Sequence, residues 1–275
     1  MQFFNTSAPI GIFDSGIGGL TVVKRVLSLL PNENIIYFGD TARVPYGSKS
    51  NDTVIEYAIQ DANFLIAKNV KLIIVACNTV SAVALDVLRE KISIPVIGMI
   101  NPGAKVALNE TKNGKIGVIG TNATINNKAY SKQLFELDPN VQVLEKACPL
   151  FVPIAEEGWL DHEATKMIAR EYLQDLIDFG ADTLILGCTH YPLLSQVIQE
   201  IMGENVTLID SGFAASLQVE DYLHGRGDRN GSVQLGSKKF YVSDSPDKFK
   251  VLAERFLGKE IEHIEKIDVE SLMIK

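Results

Sequence analysis

The sequence predicts an α/β protein built from two similar halves, each a parallel β-sheet flanked by helices, that face one another across a central cleft. Three observations carry this prediction. Short apolar runs of the kind buried on both faces alternate with stretches of helical spacing. One unit occurs twice, an apolar run followed by a small residue, a cysteine and a polar pair: Ile73-Ile74-Val75-Ala76-Cys77-Asn78-Thr79 and Leu184-Ile185-Leu186-Gly187-Cys188-Thr189-His190. Landmarks of the two halves also recur in order at nearly one offset, 106 residues from Gly11 to Gly117, 111 from Cys77 to Cys188 and 110 from Val96 to Val206, as an ancestral duplication would leave them.

Along the chain, residues 9–13 read as the first buried strand, 14–19 as a glycine-rich turn and 20–30 as a helix ending at Pro31. The glycine cluster has neither the G-x-G-x-x-G order nor the Lys-Ser/Thr of a phosphate loop; it lets backbone approach a small anion, with Asp14 and Ser15 at the strand's end. Asp14 also suits a helix N-cap. Residues 35–38 form a second strand, and 39–49 form a polar loop longer than most βα connections, where Tyr46 and Gly47 can offer a hydroxyl and a backbone N–H or simply make a turn. A helix over 53–69 leads to the strand that ends at Cys77, and helical spacing resumes at Val80, Val83, Ala84, Val87 and Leu88. Residues 94–99 close the first half. The pattern restarts at 115–124 as strand, hydroxyl-bearing turn and helix, followed by a strand at 141–144. Cys148, without a counterpart in the other half, reads as structural. Glu156-Glu157 suits a solvated turn or a carboxylate in the cleft. After the strand ending at Cys188, helical spacing appears at Leu193, Leu194, Val197 and Ile198. A helix through Leu217 and Tyr222, a polar stretch at 224–237, a strand at 240–242 and a helix at 248–257 finish the chain. That tail is expected to pack back on the first half, giving one discontinuous domain of 1–99 plus 211–275 and a second of 100–210.

Composition narrows the function classes. The chain has 275 residues, 46% apolar and 22% charged, enough for one large or two moderate domains. With a net charge of −8 and no basic cluster, nucleic-acid binding has no electrostatic support. Residues 1–7 lack the features of a signal peptide, and no apolar run approaches the ~20 residues of a membrane span. Three cysteines without C-x-x-C spacing argue against a disulfide framework or zinc site. The expectation is a cytoplasmic protein with no metal.

Both repeated cysteines are placed where a parallel strand ends and a helix begins, the end of the sheet at which α/β proteins bind ligands. A helix N-terminus favours a thiolate. A single such cysteine is ordinarily a small buried hydrophobe; two at equivalent positions, each followed by polar residues, point to a paired-thiol site. The residues alone leave open a redox pair, or a two-lobed binding protein without catalysis.

The motifs G-I-F-D-S-G-I-G-G-L (11–20), Y-F-G-D-T-A-R-V-P-Y-G (37–47), V-A-C-N-T (75–79), I-G-T-N-A-T (119–124) and G-C-T-H-Y-P-L-L (187–194) resemble, in this order, those of bacterial glutamate racemases of the aspartate/glutamate racemase superfamily. The likeness spans the chain to about residue 223; the last fifty or so residues match less distinctively. It implies a cofactor-independent racemase, a homodimer, that interconverts L- and D-glutamate and supplies D-glutamate for peptidoglycan synthesis; an aspartate racemase is the nearest rival. Carried over, Cys77 and Cys188 are the acid/base thiols, Asp14 assists the first, and His190 with Glu157, preferred over Glu156, assists the second. The resemblance further implies that Asp14, Ser15, Tyr46, Gly47, Asn78, Thr79, Thr189 and His190 contact substrate, joined by Thr121 and Thr124.

Overall fold

In a computed structural model, residues 5–272 are described; residues 1–4, part of the stretch read as unlike a signal peptide, and residues 273–275 lie outside it. Ten strands are present among the described residues: β1 (Ile10–Asp14), β2 (Ile35–Gly39), β3 (Leu72–Val75), β4 (Val96–Ile97), β5 (Lys115–Gly120), β6 (Gln142–Ala147), β7 (Thr183–Gly187), β8 (Thr207–Asp210), β9 (Lys238–Val242) and β10 (Ile264–Lys266). They make two sheets, β10-β9-β2-β1-β3-β4 and β6-β5-β7-β8, in which every pairing is parallel. The inner order of the first sheet, 2-1-3-4, is repeated in the second as 6-5-7-8. In each, the order reverses direction between the first and third strands of the unit. That reversal opens a crevice beyond the strands' carboxyl ends, and both repeated cysteines follow the third strand there.

The apolar runs form strands because both faces are covered. Along β1, Ile10 and Ile12 enter one core cluster with Tyr37, Leu72 and Ile74, while Phe13 enters another with Phe38, Ile73 and Val75. Successive side chains of a strand point to opposite faces, so one apolar run feeds two cores. Helices α1 (Leu20–Leu29) and α2 (Asn51–Ala67) close those faces, with Val22, Val23 and Val26 in the first core and Val54, Ala58 and Leu65 in the second. The second sheet repeats the scheme: Leu184 and Leu186 lie on one side, Ile116, Val118 and Ile185 on the other.

Past β3 the sequence suggested one helix, whereas the chain forms α3 (Asn78–Val83) and α4 (Leu85–Lys91), divided at Ala84, whose φ of −118° departs from helical values. Helix α5 (Ile100–Glu110) follows β4; then come α6 (Asn122–Asn126), α7 (Ala129–Leu137), α8 (Phe151–Glu157) and α9 (Glu163–Phe179). The Glu156-Glu157 pair, which suited either a turn or a place in the cleft, thus ends a helix. After β7 a 3₁₀ turn, Tyr191–Leu194, precedes α10 (Ser195–Met202). Helix α11 (Ser211–Arg226) packs on both α1 and α5. The tail returns to the first sheet, where β9 pairs with β2 and α12 (Pro246–Leu257) packs on α1. Among the described residues no helix is long and apolar enough to cross a membrane.

Candidate active site

In the first half, β1 ends on Asp14, which is 1% exposed. Its Oδ2 accepts the Gly16 N–H at 3.0 Å, while Oδ1 has no hydrogen-bond partner. Burial raises the Asp14 pKa, with His190 opposing it. Cys77 stands two residues beyond β3 and caps α3, its carbonyl accepting the Ser81 N–H at 2.9 Å in the α-helical i→i+4 pattern. The Sγ lies 3.5 Å from Ser15 Oγ. Burial, and after it the Asp14 carboxylate, pushes the Cys77 thiol up to about 12. The sequence argument that a helix N-terminus would favour thiolate is overruled here: loss of solvent and a nearby negative group outweigh six residues of helix.

The second half departs from the repeat. Cys188 follows β7 but caps no α-helix, contrary to the sequence expectation. Pro192 has no N–H to donate to the Cys188 carbonyl, so Tyr191 N–H serves it instead, at 3.2 Å, and the chain takes a 3₁₀ path. Electrostatic help comes from side chains. Cys188 Sγ is 3.8 Å from His190 Nδ1, and His190 Nε2 is 3.0 Å from Glu156 Oε1. Burial disfavours the imidazolium, yet the contacts with Cys188 and Glu156 raise the His190 pKa to about 10. Glu156 in turn is lowered, chiefly by its bond with His190. Protonated at neutral pH, His190 presents a positive N–H to the sulfur.

A cavity of about 360 Å³ lies between the two halves, within the range of small-molecule sites. Of the residues singled out from sequence, Ser15, Tyr46, Gly47, Cys77, Asn78, Thr79, Thr121, Cys188, Thr189 and His190 line it. Asp14 lies behind that wall. Thr124 is 1% exposed, its Oγ1 being 3.1 Å from Thr121 Oγ1 and 3.4 Å from Thr79 Oγ1, so three hydroxyls from both halves meet at one edge. Tyr46 does not offer its hydroxyl to the cleft, which is turned onto Asp40 and Asp61. Glu157, preferred from the sequence, is exposed and absent from the cavity wall; Glu156 takes that place. Helical spacing explains it: Phe151, Ile154 and Ala155 turn to the core, while Val152 and Glu156, four apart, share the cleft-facing side of α8.

The glycine-rich turn at 14–19 lines the cavity with Ser15, Gly16 and Ile17 and has a packing purpose besides. A Cβ on Gly18 would stand 2.2 Å from Thr189 Oγ1 and 2.6 Å from the His190 ring, so this glycine admits the loop that carries Cys188. Thr21 Oγ1 donates to the Thr189 carbonyl at 2.9 Å and ties that loop to α1.

The sequence model of the Asp/Glu/hydantoin racemase family matches residues 18–218. The chain is 52% identical to the glutamate racemase of Chlorobaculum tepidum over 264 residues, covering 96% of this chain and 97% of that protein. It is 49% identical to that of Geobacter metallireducens over 262 residues, covering 95% and 97%. The crystal structure of glutamate racemase from Francisella tularensis in complex with D-glutamate superimposes with a TM-score of 0.91 at 44% identity, covering 97% of this chain and all of that one. The chain belongs to the glutamate racemases of the Asp/Glu/hydantoin racemase family. In this family member, the cavity also takes in Gly16, Ile17, Val44, Pro45, Val152, Pro153 and Glu156, which the sequence argument had not assigned to substrate. The alternation of core and cleft faces in α8 was the available signal for Val152 and Glu156. Phe256 of α12 packs edge-on against His190, with ring centroids 5.6 Å apart, and nothing in the local sequence announces it.

Proposed function

We propose that this chain interconverts L- and D-glutamate by proton transfer at the α-carbon between two thiols, Cys77 and Cys188. The observation that carries the reading is that one sulfur from each sheet lines a single cavity, with all three cysteines free. Racemisation removes the α-proton from one face and returns a proton to the other, which one base cannot reach alone. In one direction the Cys188 thiolate, beside the His190 imidazolium, takes the α-proton. The electron pair moves into the carboxylate as an enolate, and the Cys77 thiol delivers its proton to the opposite face. In the reverse direction Cys77 must first become thiolate. Asp14, with a raised pKa and a free Oδ1, is the group placed to take that proton. Ser15, Asn78, Thr79 and Thr189 supply hydroxyl and amide donors for the developing enolate charge, and enclosure strengthens each contact. Glutamate as substrate rests on the named relatives, and the supply of D-glutamate to peptidoglycan synthesis on the same kinship.

Incubating the protein with D-glutamate in deuterated water tests the whole scheme. Deuterium should enter the α-position as the circular dichroism signal decays to zero, while L-aspartate stays unchanged. Cys77→Ser and Cys188→Ser should each slow racemisation by about a thousandfold, within the span of acid/base catalysis. Full-rate α-exchange in both variants would refute the two-thiol scheme.

A further inference from the structure

The turn over residues 44–47 lines the cavity with Val44, Pro45, Tyr46 and Gly47, none of them charged. Behind it lies a polar cluster drawn from three parts of the fold. Asp40, immediately after β2, accepts Arg43 Nε at 2.6 Å, Ser243 Oγ at 2.8 Å and the Tyr46 hydroxyl. Asp61, on α2, accepts Arg43 Nη2 at 2.9 Å and lies 3.2 Å from the Tyr46 hydroxyl. Arg43 also donates to Gln60, and its guanidinium lies 4.1 Å from the centroid of the Tyr57 ring. Both aspartates are fully buried, and neither they nor Arg43 line the cavity.

We propose that Asp40, Arg43 and Asp61 are positioning residues that hold the 44–47 turn at the height the substrate needs, and thereby set how tightly it binds. The inference deepens the reading of the cavity as a glutamate site and rests on it. Apolar packing would anchor the turn without burying charge. What the cluster adds is direction: a planar guanidinium bonded along several edges fixes the orientation of the chain that carries it. Tyr46, held through its hydroxyl, transmits that orientation to the backbone of Tyr46 and Gly47. The Tyr46 hydroxyl lies within reach of both carboxylates, so its position is fixed from two sides. Burial, with Asp40 next, pushes the Asp61 carboxyl up. Asparagine keeps the size of Asp61 and an oxygen to accept from Arg43, so it can stand in for Asp61, and alanine cannot.

A turn that holds the ground state and the transition state alike affects KM more than kcat. The test measures kcat and KM with each enantiomer for Asp61→Ala, Asp61→Asn and Arg43→Lys, alongside melting curves. Enantiomers are equal in free energy, so kcat/KM must agree between the two directions for every variant, an internal check on the data. Asp61→Ala and Arg43→Lys should raise KM about tenfold with a smaller fall in kcat, while Asp61→Asn stays within about threefold of wild type. Lysine keeps the charge but cannot reach Asp40, Gln60 and Asp61 together. A purely structural role lowers the folded fraction, so apparent kcat falls at unchanged KM; that result overturns the proposal. If Asp61→Ala does not fold, Arg43→Lys decides, a wild-type KM refuting the inference and a raised one supporting it. Wild-type protein that leaves glutamate unchanged would instead refute the reading of the site.

Discussion

Cys77 and Cys188 do matching work in the proposed reaction with unlike neighbours. Burial and then Asp14 keep the first protonated, while the second lies beside His190, which is paired with the partly exposed Glu156. The pH dependence follows from His190. Its pKa in the folded protein, about 10, lies above the ordinary 6.5, so the imidazolium stabilises the fold fully below about 6.5 and that contribution is lost as pH rises through 10. The counter-charge for Cys188 disappears over the same interval. Glu156→Gln removes one of the groups that raise His190, so the alkaline limb of the kcat/KM profile should move to lower pH, whereas Glu157→Gln should leave it in place. A profile of kcat/KM from pH 6.5 to 10 for the three proteins checks this.

At the scale of elements, each strand's two ends are specialised. Chemistry collects beyond the carboxyl ends, and the amino ends hold the fold together. Lys71, just before β3, pairs with Glu33 at 2.6 Å, the side chains being 2% and 3% exposed. Its Nζ also donates to the Thr6 and Asp228 carbonyls at 2.8 Å each, and Glu33 Oε1 accepts the Asn230 N–H at 2.7 Å. This pair thus fastens the chain between α11 and β9 to the first sheet. Lys71→Met strands a buried carboxylate and should cost about 3–5 kcal/mol of stability, read as a lowered denaturation midpoint, with the KM of the folded enzyme unchanged. Much of this layout was legible in the sequence, because strands buried on both faces are near-continuous apolar runs and the duplicated cysteine unit marks the ends that face the cavity. The 3₁₀ path after Cys188 was not anticipated, although Pro192 forbids an α-turn there. Glu157 was preferred over Glu156 on the family resemblance alone, because the spacing to Cys188 varies and no helix had been assigned at α8 to tell the two faces apart. The Arg43 cluster was beyond reach, since Asp61 and Ser243 join it only through tertiary packing.

Taken as a whole, the molecule is two halves with the cavity between them, and Gly18 is a point of close approach. Gly18→Ala puts a methyl group where Thr189 and His190 already stand, so the Cys188 loop must move outward. Racemase activity should fall by about a hundredfold, as misplacements of that order cost, with little change in thermal midpoint because both cores are untouched; steady-state kinetics and a melting curve separate the two effects. The tail carries a different consequence. Residues after about 223 resemble the family less distinctively, yet Ser243 bonds Asp40, Phe256 braces His190 and Arg255 donates to the Glu156 carbonyl at 2.5 Å. A protein shortened before β9 would keep both sulfurs while losing supports on each side of them. Engineering that treats this end as a spare handle for tags or fusions would be tampering with catalysis from more than a hundred positions downstream of Cys77.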